Sequence, residues 1–173
     1  MAHPHEKFIE NTKEIYPLIS LINESKTTHI RKNLSLHLHT SQINLMKQTK
    51  KHQKPHHRKI RIIQYQKLLN NPESLDDKFE LHKRLYIAKY KKLEKKGLVI
   101  VNENPEEDLP FDVTLTDKGE EIIQEINKLE KEWEEIVTKN MDNKEEFLEQ
   151  LKQMAKIALP INYKFKKQQK FVF

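Results

Sequence analysis

The segment from Phe79 to Gly119 constrains the fold of this chain more than any other stretch. It contains an amphipathic helical pattern that ends at Gly97, two short apolar stretches around an acidic turn, and the start of another helix near Thr116. A glycine can take the left-handed conformation that ends a helix, and the lysines before it suit the negative helix end. Only two glycines occur in 173 residues, and both lie at predicted helix boundaries, which favours a mostly helical chain.

The two apolar stretches of this segment are predicted to form a β-hairpin. Residues 98–101 (LVIV) and residues 111–115 (FDVTL) are separated by a turn over residues 102–110 (NENPEEDLP). Thr116 can cap the helix that follows, and the acids after it suit the positive N-terminus of that helix. A basic helix followed by a two-stranded ribbon is the winged-helix pattern. We therefore expect a mainly α fold with a small two-stranded β-wing.

Two motifs on either side of the wing resemble the MarR family of transcriptional regulators. The first is LEKKGLV at residues 93–99, and the second is VTLTDKG at residues 113–119. The resemblance covers roughly residues 79–157 and extends more weakly to residues 36–46. It implies a dimeric winged helix-turn-helix regulator that binds double-stranded DNA. It also implies a pocket for a small-molecule effector between the dimerisation and DNA-binding parts.

The chain is expected to divide into four parts around one hydrophobic core. Residues 1–35 are predicted to hold an N-terminal dimerisation helix and residues 36–119 the winged-helix DNA-binding region. C-terminal dimerisation helices are expected in residues 120–159, followed by a basic aromatic tail in residues 160–173. The boundary is placed there because Pro160 is expected to stop the last helix.

The region before the predicted recognition helix is strongly basic. Residues 50–61 (KKHQKPHHRKIR) surround Pro55 and are expected to form a basic loop before the third helix. The start of the fourth helix has two interpretations. It begins at Ser74, which forms a pattern like a capping box with Asp77, or it follows a separate turn over residues 74–80.

The net charge of +6 is distributed unevenly along the chain. Residues 50–96 hold fifteen lysines and arginines against five acids, whereas residues 101–150 hold five against seventeen. The positive excess coincides with the predicted recognition helix, which is where binding to a phosphate backbone needs it. An ordinary solvated lysine-rich surface is the alternative. The predicted DNA-binding residues are Lys83, Arg84, Ile87 and Lys91 on the helix, with Arg58 and Lys59 before it.

The predicted wing is acidic. MarR wings usually carry an Asp-x-Arg sequence that anchors the turn and reaches the minor groove. Residues 108–110 (DLP) stand at that place without an arginine, and Glu106, Glu107 and Asp112 add negative charge. Because these carboxylates repel phosphate, we expect the wing not to grip DNA in the usual way.

The helix after the wing carries an apolar seam with a spacing of four, three and four residues. Two heptads are short for a free coiled coil, so this seam is predicted to pack against a partner helix in a dimer. Left exposed, it would form a large apolar patch. The predicted dimerisation residues are Ile122, Ile126, Leu129 and Trp133.

No catalytic motif is found, so we expect neither enzymatic activity nor a cofactor. His5-Glu6 lacks the second histidine of a zinc protease, and two glycines leave no phosphate-binding loop. Nine histidines raise the question of a metal, with His52, His56 and His57 close together. Pro55 interrupts the helix face that they would need to share, so no metal site is predicted. A metal-responsive regulator is kept as an alternative.

The remaining composition favours a cytoplasmic protein with no membrane association. The chain has no cysteine, no apolar run near eighteen residues and no signal-peptide pattern in its first ten residues. The main alternative function is a winged-helix protein–protein interaction module that does not bind DNA and uses its acidic wing to meet another protein.

Overall fold

The computed structural model describes residues 9–71, 73, 75–103 and 109–166, with side chains described up to residue 160. None of the helices in these ranges is long and apolar enough to cross a membrane. The main elements, in chain order, are α1 (Ile15–Asn33), α2 (Thr40–His52), α3 (Pro55–Leu69), α4 (Asp77–Glu94), β1 (Val99–Asn102), β2 (Asp112–Leu115), α5 (Asp117–Thr138) and α6 (Lys144–Lys166).

The predicted hairpin and its flanking helix boundaries are confirmed. β1 pairs antiparallel with β2, with Val99 opposite Leu115 and Asn102 opposite Asp112. Gly97 has φ of 70°, the left-handed conformation that ends the turn after α4. The Thr116 hydroxyl accepts a hydrogen bond from the Gly119 N–H at 3.0 Å and caps α5. The fold is therefore mainly α with a two-stranded wing, as predicted.

The hydrophobic core lies between the first two helices, α4, the hairpin and α5. α1 packs along α5, and α2 packs against β2. α3 contributes no fully buried side chain, so it lies at the edge of this core. The central buried side chains are Ile30, Leu38, Met46, Tyr90, Leu93, Leu98, Phe111 and Ile126.

The predicted basic loop over residues 50–61 is wrong. α2 continues to His52 and α3 begins at Pro55, so only Gln53 and Lys54 connect them. Proline fits the first position of a helix because the N–H that it lacks would have no partner there. The sequence pattern correctly predicts a helix break near Pro55, but the predicted loop is longer than the observed one.

The boundaries of the fourth and last helices also differ from expectation. Asp76 caps α4 by accepting a hydrogen bond from the Phe79 N–H at 3.0 Å, and Ser74 lies outside the described residues. α6 passes through Pro160 and ends at Lys166, so the prediction that this proline stops the helix is wrong. A proline removes one backbone donor and can bend a helix without ending it. Residues 167–173 of the predicted tail lie outside the described residues.

The apolar seam of α5 packs inside the single chain rather than lying open for a second copy. Ile122, Ile126 and Leu129 are buried, and Trp133 is half-buried with its Nε1 donating to Ser25 Oγ on α1 at 3.3 Å. α1 supplies the cover that the sequence pattern assigned to a partner subunit, so these four residues are corrected to an intrachain role. The exposed large apolar side chains of α1 and α6 lie elsewhere: Ile15, Tyr16, Ile19, Ile22, Phe147, Leu148, Leu151, Ile157 and Leu159.

Candidate nucleic-acid interface

α4 has one buried face and one face open to solvent. Phe79, Tyr90 and Leu93 are buried, and the partly buried Tyr86 packs against the core. The Phe79 ring also stacks on Tyr65 of α3, with ring centroids 6.4 Å apart. The opposite side, which we call the outward face of α4, consists of the exposed residues Leu81, Arg84, Leu85, Ala88 and Lys92.

The four helix residues predicted to contact DNA lie on one side of α4 by helical spacing, but they differ in exposure and in charge pairing. Arg84 is exposed on the outward face and forms no ion pair with an acid in the described ranges. Lys83 is half-buried, and its Nζ lies 3.9 Å from Glu80. Ile87 is half-buried and packs against the core. The structure therefore leaves Arg84 best placed to reach a ligand outside the protein.

Lys91 belongs to a charge cluster between α4 and the wing. Its Nζ lies 3.0 Å from a Glu94 oxygen and 2.8 Å from a Glu103 oxygen. The hydrogen bond to Glu103, followed by that to Glu94, raises the pKa of Lys91. The Val101 N–H donates to Glu94 at 2.8 Å, and this bond, followed by the one from Lys91, lowers the Glu94 pKa. Two carboxylates thus compensate the charge of Lys91.

Arg58 faces the base of the wing, where a second arginine joins it. Asp112 accepts from Arg58 Nη1 at 2.5 Å and from Arg61 Nη1 at 3.1 Å. Arg61 Nη2 also approaches the Phe111 carbonyl oxygen at 3.4 Å. Lys59, by contrast, is exposed on α3. Arg61 was missed by the sequence reasoning, because nothing in a linear pattern pairs it with an acid fifty-one residues away.

His52 lies beside these arginines at the end of α2. Burial lowers its pKa to about 4, and the positive charge of Arg61 acts in the same direction. The pKa of His57 is also lowered, by desolvation first and then by Lys51. Within the described ranges, no group of three His, Asp or Glu side chains could hold a metal ion. The lowered pKa values of His52 and His57 favour their neutral forms beside this basic cluster.

Two lysines that the sequence reasoning passed over border a groove between α2 and α4. Lys89 and Lys92 line a cavity of about 340 Å³, together with Tyr86 and the side of α2 that runs from Ser41 to Gln48. Neither lysine forms an ion pair with a described acid, which distinguishes them from Lys83 and Lys91. Helical spacing could have indicated that Lys89 and Lys92 lie on the same side of α4. It could not have indicated that α2 packs beside them.

The comparisons with known proteins support the fold. No family model matches the chain, and no curated protein matches it in sequence. A solved structure described as the crystal structure of MarR is similar, with a TM-score of 0.60 and 21% sequence identity. The match covers 89% of this chain and 97% of that one. At this identity the likeness establishes the fold alone, and the chain has a MarR-like winged-helix fold.

Proposed function

We propose that this protein is a sequence-specific, double-stranded DNA-binding transcriptional regulator of the MarR type that acts as a homodimer. The observation that carries the proposal is the outward face of α4, where Arg84 is exposed without an acidic partner among the described residues. α3 precedes α4 as the first helix of the helix-turn-helix, and the second helix of such a motif lies in the major groove. Exposed arginine at that helix can neutralise phosphate or contact guanine.

The charge pairs around α4 divide the predicted contacts into two groups. Arg84 and Lys59 are exposed and available to phosphate. Lys91 and Arg58 are held by carboxylates of the wing, so a phosphate would have to displace Glu103 or Asp112 to reach them. We therefore assign DNA contact first to the exposed cations.

The wing supports α4 rather than reading DNA in this proposal. Glu103 holds Lys91 at the end of α4, and Asp112 holds α3. Both acids face basic partners of the same chain, and neither offers a donor to phosphate. Glu106, Glu107 and Asp108 lie outside the described residues, and their assignment as residues that repel DNA rests on their charge.

Dimerisation is proposed through the exposed apolar side chains of α1 and α6. Ile19 and Ile22 of α1 are 41% and 47% exposed, and Leu148 and Leu151 of α6 are 47% and 38% exposed. A large exposed apolar surface marks an interaction site on a soluble protein. A small-molecule effector belongs to the same proposal and rests on the family resemblance. A cytoplasmic location and the absence of enzymatic activity also belong to it, and they rest on the composition and motifs of the sequence as well.

A second candidate function is favoured by two leucines. Leu81 and Leu85 are 56% and 51% exposed on the outward face of α4. Apolar side chains of this size suit a protein surface better than a phosphate backbone. A winged-helix module that binds another protein through α4 would use them directly.

The experiment that separates these functions is a binding titration with the full chain. A fluorescent mixed-sequence duplex of about 30 base pairs is titrated at 50 mM and 200 mM KCl by fluorescence anisotropy. We expect binding at 50 mM and a loss of at least tenfold at 200 mM, because released counterions make phosphate binding salt-dependent. Undetectable duplex binding at 50 mM KCl would overturn the proposed function and favour the protein-binding candidate.

A further inference from the structure

We propose that the groove between α2 and α4 seats the phosphate backbone of duplex DNA on the side of α4 away from the wing. The proposal rests on the proposed function and deepens it, since it places one DNA strand relative to the protein. The residues that carry it, Lys89 and Lys92, lie outside the set that the sequence predicted.

The lining of the groove combines polar and apolar side chains. It is lined by Ser41, Gln42, Asn44, Leu45 and Gln48 of α2 and by Tyr86, Lys89 and Lys92 of α4. Its volume is about 340 Å³, and it is partly open to solvent. The Lys89 ammonium lies 5.1 Å from the centroid of the Tyr86 ring, a cation–π contact that places this lysine beside the groove wall.

The groove offers hydrogen-bond donors and positive charge without a single carboxylate. None of the residues that line it is acidic, although the chain holds 26 Asp and Glu residues. Serine hydroxyls, asparagine and glutamine amides and lysine ammonium groups are the side chains that contact phosphate oxygens in protein–DNA complexes. The polar side chains of the lining thus match an anion that accepts several hydrogen bonds along its length.

The two edges of α4 differ in their charge compensation. On the edge toward the wing, Lys91 is paired with Glu94 and Glu103. On the edge toward α2, Lys89 and Lys92 have no ion pair with an acid in the described part of the chain. The positive charge without an acidic partner therefore lies on the α2 side, and it attracts an approaching phosphate strand to that side.

The position of the groove favours a DNA backbone over a free small anion. Lys92 lines the groove and also belongs to the outward face of α4, together with Arg84 and Ala88 at spacings of four residues. A helix in the major groove, which is about 12 Å wide, has phosphate strands on both of its sides. A strand beside α4 would pass over the groove, while Arg84 on the outward face reaches a further phosphate.

The first test compares two double variants in a salt titration with the same duplex. Lys89→Ala/Lys92→Ala should flatten the slope of log affinity against log salt by about 1.8 per copy bound, since each phosphate contact contributes about 0.9. Affinity at 100 mM KCl should fall at least tenfold. Lys128→Ala/Lys131→Ala removes the same charge from exposed lysines of α5 and should change affinity less than threefold.

The second test introduces a negative charge with almost no change in shape. Asn44→Asp places a carboxylate in the groove, whereas Asn127→Asp places one on the exposed surface of α5. The groove variant should bind duplex at least fivefold more weakly, and the α5 variant should bind within twofold of wild type. Far-ultraviolet circular dichroism melts of all four variants show whether the fold is kept.

The outcomes separate this proposal from the proposed function. Wild-type binding to duplex, with the groove variants unchanged in affinity and slope, would overturn the groove assignment and leave the function standing. Absence of wild-type binding would overturn both. Tighter binding to a polyglutamate peptide than to duplex, abolished in Lys89→Ala/Lys92→Ala, would assign the groove to an acidic protein and overturn the DNA assignment.

Discussion

Arg61 of α3 and Asp112 of β2 form an ion pair of 3.1 Å in which the two side chains are only 13% and 12% exposed. Arg58 joins the same carboxylate from one helical turn earlier. Because α3 has no fully buried side chain, these contacts and the stacking of Tyr65 on Phe79 hold it to the rest of the domain. Charge pairing with the wing thus helps to hold the first helix of the helix-turn-helix in place.

Removing the carboxylate should therefore destabilise the domain markedly. Asp112→Ala leaves the largely buried Arg61 without its carboxylate and removes one contact of the more exposed Arg58. We therefore expect a loss of about 3 kcal/mol in the free energy of unfolding. Urea denaturation followed by circular dichroism measures this. The control is Asp142→Ala in the exposed turn between α5 and α6, expected within about 0.5 kcal/mol of wild type. Equal losses for the two variants would contradict the role given to Asp112.

Replacing Gly119 by alanine is expected to destabilise the protein, although helix propensity alone predicts stabilisation. Gly119 lies in the first turn of α5, where replacing glycine by alanine usually stabilises a helix by about 1 kcal/mol. A Cβ at this position would lie 2.1 Å from the Leu98 carbonyl oxygen, so α5 would have to move away from the chain before β1. We expect Gly119→Ala to cost about 2–3 kcal/mol, as overpacking does.

The matched variant for this test is the other glycine. Gly97 has φ of 70° and nothing within 4 Å of an added Cβ, so Gly97→Ala meets only the backbone penalty of about 1–2 kcal/mol. Thermal and urea denaturation of both variants measure which substitution costs more stability. A Gly119→Ala variant as stable as wild type would contradict the close approach of α5 to Leu98.

His52 should make the domain less stable in mild acid. Its folded-state pKa of about 4 lies below the usual value of 6.5, so the unfolded chain takes up the proton first as the pH falls. Stability from this group is complete above pH 6.5 and declines between pH 6.5 and 4. Since the side chain is half-exposed, we expect a loss of about 1.5 kcal/mol, roughly half of what 1.36 kcal/mol per pKa unit gives.

The test is the difference in unfolding free energy between pH 7.0 and pH 4.5. His52→Gln should reduce that difference by about the same 1.5 kcal/mol. Gln64→Ala, at an exposed and non-titrating position of α3, is the control and should leave the difference at its wild-type value. If both variants behave like wild type, His52 does not titrate as its surroundings imply.

The proposed dimer predicts separate effects of substitutions on α6 and on the wing. Leu148→Glu/Leu151→Glu on α6 should yield a folded monomer near the chain mass of 20.8 kDa in sedimentation, while wild type sediments at about twice that mass. Ile100→Glu, at an exposed position of β1, is the control and should remain dimeric. A wild-type monomer at micromolar concentration would end the dimer proposal.

The features predicted correctly from sequence are those with local causes. Gly97 ends a turn by its own backbone conformation, and Thr116 caps α5 through a bond three residues away. Ile126 was recognised as part of an apolar seam, but the pattern could not show that α1 of the same chain covers it. Arg61 and Asp112 are fifty-one residues apart in the sequence, and a periodic pattern cannot predict an ion pair between such distant residues.

The most direct test of the account is the salt dependence of duplex binding by Arg84→Ala and Glu103→Gln. Arg84→Ala removes one phosphate-binding cation from each copy of a dimer, so it should flatten the slope of log affinity against log salt by about 1.8. Glu103→Gln removes a wing carboxylate from Lys91 and should leave binding equal or tighter. The account is contradicted if Arg84→Ala binds like wild type while Glu103→Gln binds tenfold or more weakly.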